Sequence, residues 1–262
     1  MKKTSIQTLN QLNKTFYETV AQSFDNSRSY LWDGWDQLAP IIDLLLDKKK
    51  HISVLDVGCG NGRFISWIDA YISKKAFPTS NQVSLHYTGI DSNDFLLQTA
   101  QQNAKTVINN ISAEFKNIDI VNHFPTTFND ETFDLIVCFG VIHHIPGSET
   151  RREFIRSITQ LLTPNGFACI AAWDFTSIPS LMNRSQKLSD THIIPDPEEN
   201  DYLLDWKRNE HAYRYCHHVT NHEMQDLWSG TQTKIVLHYR ADGPTKSSNV
   251  YWVVQKNRYV IP

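Results

Sequence analysis

The feature that most constrains this chain is the run Val54-Leu55-Asp56-Val57-Gly58-Cys59-Gly60-Asn61-Gly62-Arg63-Phe64. An apolar, strand-like segment ends in glycines at alternate positions and passes directly into a helical pattern. That order of strand, tight turn and helix is the setting of a nucleotide-binding loop. Gly58 and Gly60 can take positive φ and let the backbone approach a ligand closely. The spacing is GxGxG rather than GxGxxG, and no Walker lysine follows. The fingerprint of an NAD-type dehydrogenase therefore fails.

Around this run the chain alternates. Short apolar runs at 52–57, 85–90, 133–138 and 167–173 are separated by longer helical patterns, which predicts βαβ units and a parallel sheet. Residues 1–50 read as two helices, the first with Phe16, Val20 and Phe24, the second with Leu38, Ile41, Ile42 and Leu45 at helical spacing. The stretch 74–84 reads as a polar surface loop. The polar, proline-bearing stretch 174–205 reads as an irregular lid or substrate loop. A helix near 220–229 and strands near 233–239 and 249–255 close the chain, and two adjacent terminal strands suit an antiparallel edge. The expectation is one α/β domain over 1–262, a Rossmann-like, seven-stranded, mainly parallel sheet in three α/β/α layers. It divides into N-terminal helices (1–50), a cofactor-binding core (51–173), a lid or substrate segment (174–218) and a closing helix and strands (219–262).

Composition narrows the function. With 40% hydrophobic and 20% charged residues the chain is an ordinary globular protein, not a disordered one. A net charge of −3 leaves no global nucleic-acid footprint, so any RNA surface is local or supplied by a partner. No apolar run approaches the roughly 18 residues of a bilayer span, and the polar first residues lack a secretory signal. Cys59, Cys138, Cys169 and Cys216 are widely spaced and form no CxxC pair, which suits reduced thiols and a cytoplasmic location.

Further positions fall where open α/β sheets bind ligands, outside the carboxyl ends of the strands. Ile90-Asp91-Ser92 ends the second core strand, and an acidic residue there can accept both ribose hydroxyls. Asn117-Ile118-Asp119 follows the third strand and Phe139-Gly140-Val141 the fourth. In order and spacing these elements resemble the class I S-adenosylmethionine-dependent methyltransferases over about residues 50–173. The resemblance implies S-adenosylmethionine as cofactor. It implies Asp56 interacting with the methionine amino group, directly or through water, with Gly58, Cys59 and Gly60 along the ligand, and Asp91 and Ser92 at the ribose. Ile118 and Asp119 would then hold the adenine, with Phe139, Gly140 and Val141 at the edge and Tyr17 nearby.

The flanks carry a second resemblance. The N-terminal stretch has Tyr17, Ala21, Phe24, Ser27, Arg28 and Trp32. The C-terminal part has 201–206 (DYLLDW), 213–218 (YRYCHH), Glu223 and 249–256 (NVYWVVQK). Together they are similar to the tRNA wobble-uridine methyltransferases, which methylate the carboxylate of 5-carboxymethyluridine at the anticodon and often work with a small zinc-binding activator protein. The chain departs from them in the 74–84 loop and at Cys216, where a third aromatic is expected. The resemblance implies tRNA as substrate and an activator subunit as a candidate partner; the lack of a long apolar run predicts no membrane partner.

Methyl transfer from a sulfonium is an in-line displacement, so the protein must align donor and acceptor and exclude water. A carboxylate acceptor is ionised at neutral pH and needs no general base, but a cation would orient it. Arg28 and Arg214 are the candidates, because a guanidinium matches a carboxylate bidentately. Arg214 and Tyr215 are expected to line the acceptor pocket. Tyr17, Trp206 and Tyr215 could stack on a flipped-out base. His144 is expected to pack or hydrogen-bond near the acceptor, or to act as base for a hydroxyl substrate. Other readings stay open. Trp206 and Tyr215 fit a core equally, Arg28 fits a surface ion pair, and Arg151, Arg152 and Arg156 fit a solvated helix face. If 217–218 is extended, one histidine faces the site and its neighbour faces solvent. No further ligands are spaced to make His143 and His144 a metal site, so no metal is expected. A small-molecule O- or N-methyltransferase and a non-catalytic cofactor-binding scaffold or subunit remain alternatives.

Overall fold

The chain opens with a long helix, α1 (Lys3–Asn26), then α2 (Ala39–Lys48), before the first strand, β1 (His51–Val57). There follow α3 (Arg63–Ser73), β2 (Ser84–Asp91), α4 (Asp94–Ala104), β3 (Ile111–Asn117), α5 (Ile120–His123), β4 (Phe133–Phe139), α6 (Ser148–Leu161) and β5 (Leu162–Trp173). The remainder is α7 (Pro179–Met182), β6 (Ser185–Lys187), β7 (Asp201–Lys207), β8 (His211–His217), α8 (Asn221–Trp228), β9 (Thr233–Ala241) and β10 (Asn249–Lys256). This computed structural model describes residues 1–28, 30–75, 83–107, 110–124, 126–128, 131–207 and 211–258. The loop expected at 74–84 falls largely outside the described residues.

Seven strands form one sheet in the order β3-β2-β1-β4-β5-β10-β9. The pairs from β3 through β5 are parallel, and β10 runs antiparallel to both β5 and β9 at the far edge. Period-2 alternation divides the sheet's side chains between two cores. Val54, Val137, Cys169 and Val253 face α2 and α3, with Ile42, Leu45 and Ile65. Leu55, Ile136, Ile170 and Trp252 face α6 and α8, with Phe154, Ile158 and Leu227. Both faces of β1 and β4 are covered, which is why these strands read as nearly continuous apolar runs.

The segment expected to be an irregular lid carries regular structure at both ends and is irregular mainly over 191–200. β6 and β7, which begin within it, join β8 just beyond it in a separate three-stranded antiparallel sheet, β6-β7-β8. Alternation was masked in the sequence because β7 and β8 bury side chains on both faces. Leu203 and Tyr215 pack with Leu9 of α1, whereas Tyr202, Leu204 and Cys216 pack on Phe175.

Candidate active site

A cavity of about 790 Å³ opens beyond the carboxyl ends of β1, β2 and β4. Its walls include α1 on one side and β8 on another, a size and position typical of a small-molecule site.

The floor is the glycine loop. The Gly58 and Cys59 N–H groups donate to the Ile90 carbonyl at 2.8 and 2.9 Å, which clips the loop to the end of β2. Gly58 has φ of 72°, and a Cβ there would lie 2.2 Å from Val141 Cγ2, so only glycine fits on both counts. The Gly60 N–H donates to Asp91 Oδ2 at 3.0 Å, and the Asn93 N–H donates to Oδ1 at 3.0 Å. Burial raises the Asp91 pKa, while these backbone donors pull it down. Each carboxylate oxygen retains acceptor capacity toward the cavity.

Cys59, Ser92, Ile118, Phe139, Gly140 and Val141 also line the cavity. Asp119 lines it too, but its carboxylate is largely engaged. Oδ1 accepts the Val121 N–H at 3.0 Å, capping α5, and Oδ2 accepts Asn10 and Asn122 amides at 2.8 Å each. Burial pushes its pKa up, yet the Asn122 and Asn10 amides hold it below the usual carboxylate range.

Asp56 does not itself line the cavity. It is buried behind the loop rather than in the cavity wall, and it accepts a hydrogen bond from the Tyr87 hydroxyl. Burial, opposed by that bond, raises its pKa to about 7. Its place at the end of a strand covered on both faces directs the side chain into the protein interior.

At the other end of the cavity, α1 and β8 meet. The Tyr17 hydroxyl lies 2.9 Å from His144 Nε2, and His144 Nδ1 lies 2.9 Å from the Tyr215 carbonyl. A carbonyl can only accept, so Nδ1 carries the proton and Tyr17 donates to Nε2. Burial and the Arg214 charge push the His144 pKa down to about 3, so the ring is neutral. With both nitrogens engaged, His144 hydrogen-bonds at the cavity wall, the first of its two expected roles, and is a poor base for the second. Asn13 adds a bridge: its Oδ1 accepts the Tyr215 N–H at 2.8 Å and its Nδ2 donates to the His144 carbonyl at 3.3 Å.

Arg214 reaches the cavity although it is only 7% exposed. Its guanidinium carbon sits 4.9 Å from the Trp173 ring and 5.2 Å from Phe16. Among the described residues no carboxylate pairs with it. Arg28 also lines the cavity, with its guanidinium 4.8 Å from the Phe24 ring. Tyr215, expected beside Arg214, is instead fully buried and donates to Asp201 Oδ1 at 2.8 Å. Successive strand residues point to opposite faces, so Arg214 in the cavity puts Tyr215 behind the wall. Trp206 belongs to the core as well, packed on Phe16 and donating to Ser23 Oγ at 3.2 Å.

Neither His217 nor His218 lines the cavity. His218 is engaged by Asp174 and Thr176, and His217 by acidic residues behind β8. Arg151 corrects the solvated-face reading. It is 1% exposed and bound by Glu198 and Glu223, whereas Arg152 and Arg156 do stand at the surface beside Glu149. Ligand-type atoms of His143, His144 and Cys216 lie within 4.8 Å of one another, beside the Arg214 cation.

Several lining residues were missed in the sequence: Asn10, Asn13 and Lys14 on α1, and Asn61, Arg63 and Trp173. The α1 set had a signal. Residues 10, 13, 14 and 17 share one helical face, and polar residues there are out of place for a core. The loop cradle, the Asp91 acceptors and the apolar Ile118 and Phe139 fit an adenosine carrying a charged amino-acid chain.

The family model described as Methyltransferase domain matches residues 48–257. The chain belongs to this family. It is an S-adenosylmethionine-dependent methyltransferase, with the Rossmann-like fold of that class. Among solved structures, this methyltransferase resembles a SAM-dependent methyltransferase from Methanosarcina mazei, with a TM-score of 0.62, 18% identity, and coverage of 84% of this chain and 98% of that one. Among curated relatives, the mouse protein named "Probable tRNA methyltransferase 9B" is 24% identical over 192 residues, 73% of this chain and 33% of the relative. The tRNA (carboxymethyluridine(34)-5-O)-methyltransferase of Saccharomyces cerevisiae is 25% identical over 158 residues, 60% of this chain and 46% of the relative. The methyltransferase thus spans a third to under a half of the length of these relatives. No helix among its described residues is long and apolar enough to cross a membrane.

Proposed function

We propose that this methyltransferase esterifies the carboxylate of a 5-carboxymethyluridine at the wobble position of tRNA. The observation that carries the reading is Arg214, a buried guanidinium at the cavity wall, clamped by aromatic rings and lacking a carboxylate among the described residues. A buried charge needs a partner, and an acceptor carboxylate supplies one in bidentate geometry.

The state of His144 supports the same choice. A hydroxyl or ammonium acceptor must lose a proton, and the one histidine bridging α1 and β8 here is neutral, with both nitrogens occupied. A carboxylate has no proton to lose. The Tyr17–His144 pair then serves to fix the wall against which the acceptor rests. Arg28, at the same cavity, is a second cation for the acceptor. The names of the mouse and yeast relatives point to the same substrate class.

At the other end, Gly58, Cys59 and Gly60 run along the cofactor, Asp91 accepts its ribose hydroxyls, and Ile118 with Asp119 flanks its adenine. When bound, S-adenosylmethionine supplies an electrophilic methyl group. The chain's own residues align the acceptor with it and keep water out.

The test is to incubate the purified protein with labelled S-adenosylmethionine and tRNA bearing 5-carboxymethyluridine, then to digest the tRNA and identify the nucleosides by mass spectrometry. Appearance of the methyl ester of the wobble nucleoside is expected. Binding of the cofactor without any ester would remove the tRNA reading.

A further inference from the structure

Behind β8, on the side away from the cavity, five charged or titratable side chains from separate segments converge. Arg151 of α6 donates to Glu198 at 2.6 Å, to Glu223 of α8 at 2.7 Å and to the Ile145 carbonyl at 3.0 Å. His217 of β8 lies between two carboxylates. Its Nδ1 is 2.8 Å from Asp201 Oδ1 of β7, and its Nε2 is 2.8 Å from Glu223 Oε2. Asp201 also accepts the Tyr215 hydroxyl at 2.8 Å and the Glu198 N–H at 2.8 Å.

Two carboxylate oxygens cannot both be satisfied by a neutral imidazole, which has one donor nitrogen. Only the imidazolium donates on both sides. The network then sets two cations, Arg151 and His217, against three carboxylates. Because His217 is 3% exposed, a lost proton would leave an acceptor facing a carboxylate with no water to relieve it.

The location gives this cluster its consequence. Tyr215 and His217 point back into the network, while Arg214 points forward into the cavity. Anchoring one face of a short strand fixes how far its opposite face projects. We infer that His217 is a positioning residue, held as an imidazolium between Asp201 and Glu223, which sets the strand that presents Arg214 to the cavity. The consequence for methyl transfer rests on the acceptor role proposed for Arg214; the proton and the placement of Arg214 do not.

Every group facing His217 bears on its titration. Burial lowers its affinity for a proton, but Asp201 and Glu223 outweigh this and Arg151 opposes them, with a raised pKa as the result. Glu198 stands 3.8 Å from Nδ1. His143 and His218 feel the His217 charge and are themselves pushed down, by burial first. Burial likewise keeps Tyr215 protonated.

The experiment is an NMR titration of imidazole-labelled, arginine-labelled full-length protein, with His217 assigned from His217→Gln. His217 is expected to be protonated at neutral pH and to lose its proton only on the alkaline side. The Arg214 Nε–H resonance, shifted by the Trp173 ring, should move in step with that loss. Glu223→Gln should bring both changes to lower pH, because the glutamine amide can donate to a neutral ring. This variant also stands in if His217→Gln does not fold. A neutral His217 at pH 7, or an Arg214 resonance indifferent to the His217 titration, would overturn the inference. Neither readout needs an acceptor, so failure to methylate tRNA would count against the proposed function alone. With tRNA as acceptor, His217→Gln should raise its KM on the order of tenfold and abolish the alkaline limb of kcat/KM, with cofactor affinity unchanged. An unaltered pH profile would contradict the positioning role.

Discussion

At the cofactor end of the cavity, the facing groups come from strand ends and tight turns of one sheet, held mainly by backbone. The Gly60 and Asn93 N–H groups grip Asp91, and the Ile90 carbonyl holds Gly58 and Cys59. At the opposite end, the proposed acceptor end, the facing groups are side chains on α1 and β8, distant in sequence, held by other side chains such as Asn13, His144 and the Arg151 network. The first construction is local and tolerates change elsewhere. The second is as good as its most remote support. Substitutions should therefore divide cleanly between the two ends.

The largest effect is expected at Arg151. Removing it by Arg151→Ala leaves the half-buried Glu198 and Glu223 with His217 as their one remaining cation in the network, at a cost of about 3 kcal/mol. Urea denaturation would read this, and a loss below about 1 kcal/mol would mean that the network does not hold the acceptor end. Next comes Arg214→Ala, with acceptor kcat/KM falling on the order of 100-fold, as for loss of a charge-assisted contact. Asp91→Ala should do the reverse. Calorimetry should show cofactor affinity weakened roughly 10- to 100-fold, with little change in the Arg214 environment. Gly58→Ala, strained and pressed on Val141, should cost about 1–3 kcal/mol of stability. Arg152→Ala, one residue from Arg151 but at the surface, should cost less than about 0.5 kcal/mol.

A pH scan sharpens the contrast. The folded pKa of His217 is raised, so its contribution to stability is complete below the unfolded value of about 6.5 and is lost as pH rises through the folded value. Burial raises the Glu223 pKa, but His217 and Arg151 bring it down to about 2. Its contribution is thus present above about 4.3 and lost as pH falls toward the folded value. Thermal melts should show wild-type stability declining on both flanks, and His217→Gln should flatten the alkaline one. An alkaline flank unchanged in that variant would assign it to another group.

The same division explains what the sequence made legible. The glycine loop, Asp91 and Phe139 were readable because each sits at a strand end, in contiguous motifs whose backbone does the work. Arg214 and Arg28 were readable only as types, cations that suit an anion. Tyr215 was misplaced because its side depends on the phase of β8, and β7 was missed within 174–205 because it buries side chains on both faces. Arg151 looked like its surface neighbours Arg152 and Arg156, since its partners Glu198 and Glu223 lie far along the chain. Asp56 was placed by motif alone, and the Tyr87 hydroxyl that engages it comes from the next strand.

The most direct measurement compares wild type with Arg214→Ala on 5-carboxymethyluridine-containing tRNA, taking single-turnover ester formation and cofactor affinity from the same preparation. Ester formation should fall on the order of 100-fold while cofactor affinity stays within about twofold. Equal rates in the two proteins, or a parallel loss of cofactor binding, would contradict an acceptor carboxylate held by Arg214.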